Sequence, residues 1–241
     1  MSKDIQMMKK ASQAALPTFY QGETSPNAEM KCPVVLVLDR SSSMQGAPIN
    51  ELNRGLKIFQ TQIQNDEVAA ARLEVAIVTF ASDVTVVRDF ALFEQTGIET
   101  ITADGDTDIA GGVQEAMQLI EARKAWYKGQ GLQYYRPYII IMTDGLPTSS
   151  QKDLEKMRSD ISKGVSEKKF NVWAFGVEKA DMKFLRSIVP GEFPPQKLKG
   201  TNFSEFFRWL SSSFSTITAS RPDNKVDISP RQGENPFQIT V

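Results

Sequence analysis

The chain has 241 residues, 28 basic and 29 acidic side chains for a net charge of −1, one cysteine and no histidine. That length carries one domain with appendages and a substantial core, and the balanced charge offers no global field to nucleic acid or a membrane surface. Without histidine, Ser-His-Asp and Cys-His catalysis lose their base, and zinc loses its usual ligands, leaving Cys32 alone.

Residues 1–32 read as a polar N-terminal extension with Pro17 and Pro26 and a short candidate helix over 5–15. Pro33-Val34-Val35-Leu36-Val37-Leu38 is an unbroken apolar run and predicts a buried strand over 34–39. Pro48 then suits a first helical turn, and Ile49, Leu52, Leu56, Phe59 and Ile63 recur at helical spacing. Strands are expected over 73–80 and 85–93. The link Ala81-Ser82-Asp83 is too short for a crossover helix, so these two should pair antiparallel with the second on the sheet edge. A helix with Ile109, Val113, Ala116, Met117 and Ile120 on one side follows, then a strand over 138–143, a polar helix over 151–167, a strand over 171–177 and a short helix over 181–188. Leu198 is placed in a final strand, and Phe206, Phe207, Leu210, Phe214 and Ile217 give a closing helix over 203–217 an inward face. Residues 219–241 lose periodicity, gain Pro222, Pro230 and Pro236, and read as a C-terminal tail. The alternation predicts an α/β fold: a doubly wound, mostly parallel sheet with one antiparallel edge strand and helices on both faces.

The chemistry gathers where such sheets bind ligands, at the strands' carboxyl ends. Asp39, Ser41 and Ser43 end the first strand, Thr107 sits in the loop Gly105-Asp106-Thr107-Asp108, and Asp144 follows Tyr138-Ile139-Ile140-Ile141-Met142-Thr143. Together they resemble the metal-ion-dependent adhesion site of von Willebrand factor A (VWA) domains, D-x-S-x-S followed by Thr and then Asp. The resemblance implies the VWA fold over 33–218. It also implies that the serines and the threonine touch a divalent cation while the acids act largely through water, and that a partner's Asp or Glu completes the coordination. Hard oxygen donors of this kind suit Mg²⁺, with Mn²⁺ or Ca²⁺ as alternatives. Neutral direct ligands leave the ion able to bind an incoming carboxylate.

Within the family the runs Val37–Ile49, Ile141–Thr148 and Phe203–Ser211 look like intracellular bacterial members associated with tellurite resistance and chemical stress, often found beside a protein kinase and a metal-dependent phosphatase. The expectation is a cytoplasmic, non-enzymatic scaffold or adaptor, in keeping with the lone cysteine, the lack of a leader pattern and the lack of any apolar stretch near the ~20 residues of a membrane span. Two features depart from the family pattern: Ser42 stands where glycine is common, and the threonine loop adds Asp104, Asp106 and Asp108. Those acids read either as a solvated loop or as tuning for a cation. The aromatic connection from Trp126 to Pro137 belongs at the sheet's amino end, as an edge of the core or a second binding surface. Two rival readings stand beside the adaptor: a metal-dependent phosphohydrolase using Asp39, disfavoured because Ser41 occupies the place of a second acid, and a structural subunit with a vestigial metal site. No phosphate-binding glycine motif follows the first strand.

Overall fold

The computed structural model describes residues 23–93, 97–190, 193–222, 224–230 and 235–237. The candidate helix over 5–15 lies outside them. Strands β1 (Cys32–Asp39), β2 (Leu73–Phe80), β3 (Val84–Leu92), β4 (Tyr138–Thr143), β5 (Asn171–Gly176) and β6 (Gln196–Lys197) form one sheet in the order β3-β2-β1-β4-β5-β6. Every neighbouring pair is parallel except β2 with β3, the hairpin that the three-residue link demands. The expected architecture is therefore the observed one.

The helices are α1 (Ala47–Gln64), α2 (Glu67–Arg72), α3 (Ile109–Gly129), α4 (Gln151–Ser166), α5 (Met182–Ile188) and α6 (Phe203–Ala219). Strand alternation assigns them to faces. Val34, Leu36 and Leu38 of β1 join Ile140, Met142, Trp173 and Phe175 in a core with α1 and α6, while Val35 and Val37 join Ile139, Ile141 and Ala174 against α3, α4 and α5. Both faces of the central strands are covered, which is why their sequences are continuously apolar. Where α1 meets α6, a Cβ on Gly55 would lie 2.4 Å from the Phe207 ring, so glycine sets the approach of the two helices.

Three expectations change. Helix α2 was not expected, because six alanine-rich residues carry too little periodicity; Asp66 caps it by accepting from the Val68 and Ala69 amides. The final strand is β6, one position before Leu198, and Leu198 instead bridges antiparallel to Phe237. The described part of the tail therefore packs: Phe237 is buried, stacks on Phe175 at 5.7 Å and meets Trp209 edge-on at 5.0 Å, and the Trp209 indole donates to the Ile228 carbonyl. Burying a ring in an aromatic edge outweighs the loss of periodicity that made the segment look loose.

The aromatic residues of the connection form an edge of the core. Trp126, Tyr127 and Tyr135 are buried, and the Tyr135 hydroxyl donates to the Thr218 and Ser220 carbonyls at the end of α6. An N-terminal strap closes the same end: Asn27 donates to the Ala71 carbonyl and Glu29 pairs with Arg72.

Candidate metal centre

The strand order turns at β1 and β4, whose crossovers leave in opposite directions, so a crevice opens beyond their carboxyl ends. Asp39 ends β1 and Asp144 follows β4. After Asp39 the chain enters a 3₁₀ turn, Ser42–Met44, and Gly46, at φ 84°, redirects it into α1.

The threonine loop is fastened to this turn by its backbone. The Asp104 amide donates to the Arg40 carbonyl at 2.7 Å, and the Ser42 amide donates to the Gly105 carbonyl at 2.9 Å. Gly105 has φ 75°, and a Cβ there would meet Ser82 Oγ at 2.6 Å, so only glycine allows the wrap. On its far side Thr107 is held by Thr148 through two hydrogen bonds: the Thr107 amide donates to Thr148 Oγ1, and the Thr148 amide donates to the Thr107 carbonyl.

These constraints bring the sequence-selected oxygens together. Ser41 Oγ and Ser43 Oγ are 3.0 Å apart, and Ser43 Oγ donates to Asp144 Oδ1 at 2.7 Å. A Cβ on Gly145 would lie 3.4 Å from Thr107 Oγ1 and 3.7 Å from Ser43 Oγ, so a glycine keeps the space between these hydroxyls open. Asp39 is oriented from behind, accepting from the Ser41 amide at 2.8 Å and from Thr143 Oγ1. Asp39, Ser41, Thr107 and Asp144 are buried, while Ser43 is exposed.

Electrostatics mark the same place. Burial pushes the Asp39 carboxyl up, and the hydrogen bonds from Ser41 and Thr143 only partly oppose it. Asp144 is raised chiefly by burial, with the negative charges of Asp39 and Glu178 adding to the effect and the Ser43 bond opposing it. Two buried acids with no basic partner among the described residues favour a nearby cation. The donor set fits a hard divalent ion: bonds of about 2.1 Å at right angles place adjacent oxygens about 3.0 Å apart, the spacing seen between the serine hydroxyls. Among the described residues no three His, Cys, Asp or Glu side chains gather in one place, and the centre is correspondingly rich in hydroxyls.

Four participants escaped the sequence reading. Thr143 holds Asp39 and also accepts from the Gly145 amide, Thr148 braces Thr107, Ser82 Oγ accepts from the Asp106 amide, and Glu178 acts on Asp144. Thr143 was findable, as a hydroxyl ending an apolar strand just before a selected acid. Of the surrounding charges, Arg40 pairs with Asp83 and is not directed at the centre. Asp108 is the N-cap of α3, accepting from the Gly111 amide and from Ser149 Oγ.

Residues 34–207 match the von Willebrand factor type A domain family. The chain belongs to that family. Among solved structures, this VWA fold is similar to the pilus adhesin SpaC of Lactobacillus rhamnosus GG in an open conformation, at 14% identity and a TM-score of 0.65 over 80% of this chain and 31% of that one. It is also similar to the PilB minor pilin of Streptococcus sanguinis, at 13% identity and 0.59 over 83% and 65%. A third likeness is to proximal thread matrix protein 1 of the mussel byssus with its metal-ion-dependent adhesion motif occupied by zinc, at 13% identity and 0.53 over 78% and 49%. At these identities the likeness is one of fold, and the chain spans between 31% and 65% of these proteins' lengths. Comparison with curated proteins gives no match. VWA domains commonly mediate protein–protein interaction, often through a divalent metal, and no helix among the described residues is long and apolar enough to cross a membrane.

Proposed function

We propose that this VWA domain binds a protein partner by capturing an Asp or Glu through a divalent cation. Ser41, Ser43 and Thr107 would hold the ion directly, with Asp39 and Asp144 acting through water. The observation that carries this reading is Thr107: it is 6% exposed, and no hydrogen bond engages its Oγ1 among the described residues, although it faces Ser43 across Gly145. The side chain is held in the wall of the crevice while its oxygen stays open to it, free to coordinate a cation. When bound, the ion offers a Lewis-acidic position for a carboxylate, and the chain's own residues orient that position.

Mg²⁺ is the expected ion for neutral oxygen donors backed by two acids; Mn²⁺ and Ca²⁺ come next, and the zinc-occupied motif of the mussel protein adds Zn²⁺ to the panel. The domain is proposed to be non-enzymatic, since the chain has no histidine and Ser41 stands where a phosphotransfer aspartate would need a second acid. A cytoplasmic setting is supported by the single buried cysteine, Cys32. Its place in a stress or defence system with a protein kinase and a metal-dependent phosphatase rests on the sequence resemblance alone. Titration calorimetry tests the centre: the wild type should bind Mg²⁺ and Asp39→Ala should not, with circular dichroism unchanged. Equal binding by both would refute the assignment. Metal-dependent phosphate release from ATP or a phosphoprotein that is lost in Asp39→Asn would establish the hydrolase instead.

A further inference from the structure

The loops around the centre carry more acid than a cation requires. Asp104 and Asp106 are exposed on the loop bonded to the Arg40 carbonyl and the Ser42 amide. Glu178 is exposed in the turn after β5, whose Val177 amide donates to the Thr143 carbonyl, and its charge reaches Asp144. Of the bases on these loops, Arg40 is paired with Asp83, and Lys179 follows Glu178 in the chain. Asp39 and Asp144 together balance a dication, so the rim stays negative with the ion in place. A carboxylate arriving alone would add one more negative charge to an acidic face.

Two further features belong to the same face. Thr107 points an unengaged hydroxyl into the centre from a 6% exposed side chain. Leu146, two residues after Asp144, is 65% exposed, against 41% for Val68 and 37% for Val86, the other exposed large apolar side chains among the described residues. It gives this acidic face an apolar contact point that a partner could cover.

Resting on the reading that the centre captures a carboxylate, we propose that the partner is a protein loop whose captured Asp or Glu is flanked by lysine or arginine and by an apolar residue. The bases face Asp104, Asp106 and Glu178, and the apolar residue covers Leu146. Complementary rim charge selects among carboxylates and speeds encounter, and salt weakens it.

The test uses the full chain and beads carrying disulfide-cyclised peptides with a central Leu-Asp, flanked by lysines, serines or glutamates, plus a lysine-flanked control with Asn for Asp. In millimolar Mg²⁺ at low salt the lysine-flanked peptide should be retained about tenfold better than the serine-flanked one, with the glutamate-flanked one weakest. The order should collapse toward parity at about 0.5 M NaCl. A chain carrying Asp104→Asn, Asp106→Asn and Glu178→Gln, all at exposed positions, should lose the preference yet still retain the serine-flanked peptide in Mg²⁺ but not in chelator. Equal, Mg²⁺-dependent retention of the lysine- and serine-flanked peptides would overturn the rim inference and leave carboxylate capture standing. No Mg²⁺-dependent retention of any Asp peptide would overturn both. So would retention of the Asn control as strong as that of its Asp counterpart, because the attraction would then be to surface charge alone.

Discussion

At the amino end of the sheet Arg123, Glu74 and Lys31 are buried together with Tyr127, whereas at the carboxyl end Asp39 and Asp144 are buried with no base paired to either among the described residues. Arg123 Nε lies 2.8 Å from Glu74, Nη1 reaches Glu23 of the N-terminal strap at 2.9 Å, the guanidinium lies 3.9 Å above the Trp126 ring, and the Tyr127 hydroxyl donates to Glu74. Burial opposes charge on Arg123, but its bond and attraction to Glu74 more than offset that, and the group stays charged. In the metal crevice burial raises both acids and no base offsets it. Charge compensated within the chain marks a structural joint. Charge left uncompensated in a crevice marks a place for something from outside.

Removing one member of each group should separate the two ends most widely. Arg123→Met keeps volume but strands Glu74 in the interior, and breaking a buried pair in this way should cost about 3–5 kcal/mol in urea unfolding. Pairing it with Glu74→Leu should recover much of that loss. A single substitution costing under ~1 kcal/mol would mean that the strap or water compensates Glu74, and the contrast would fail.

At the other end Asp39→Asn keeps an acceptor for the Ser41 amide while removing a buried charge, so the metal-free domain should unfold at an unchanged or higher denaturant concentration. The difference appears with the ion. Mg²⁺ at a hundredfold excess over its dissociation constant should stabilise the wild type by about 2.7 kcal/mol and the variant not at all. Equal stabilisation of both chains would place the cation elsewhere.

The sequence made the metal end legible because its five oxygen-bearing residues fall at strand ends that apolar runs mark clearly, and the antiparallel edge follows from the three-residue link over 81–83. The amino end was not legible in the same way. Glu74 and Arg123 are 49 residues apart, and in a chain nearly a quarter charged neither stands out until the β2 register and the helical phase of α3 bring them together. Phe237 was hidden for a related reason: a lone aromatic in a proline-bearing segment has no period, and its place depends on the gap between Phe175 and Trp209. Periodicity reports which face a residue takes and says little about single long-range partners.

Asp108 sharpens the comparison from inside the metal loop, where the sequence allowed either solvated acid or cation tuning. Its bonds to the Gly111 amide and Ser149 Oγ make it a helix cap. Asp108→Ala should therefore cost about 1 kcal/mol in stability, as caps generally do, and leave Mg²⁺ affinity within twofold by calorimetry. A tenfold loss of affinity at unchanged stability would return Asp108 to the cation.

Leu146 gives the smallest stability effect and the sharpest separation between folding and binding. Its side chain is 65% exposed, so the core does not depend on it, and Leu146→Ser should shift unfolding by no more than about 0.5 kcal/mol. The backbone around it is set independently, by the Gly145 amide on Thr143 Oγ1 and the Thr148 amide on the Thr107 carbonyl, so the centre should keep its Mg²⁺ affinity. Retention of the lysine-flanked Leu-Asp peptide should nevertheless fall several-fold, because burying a leucine at the rim contributes roughly 25 cal/mol per Å² of apolar surface removed from water. A loss of stability above ~1 kcal/mol would show that Leu146 supports the turn after β4. Unchanged peptide retention at unchanged stability would show that the partner does not cover it, and the apolar part of the partner's description would fall while the charged part stood.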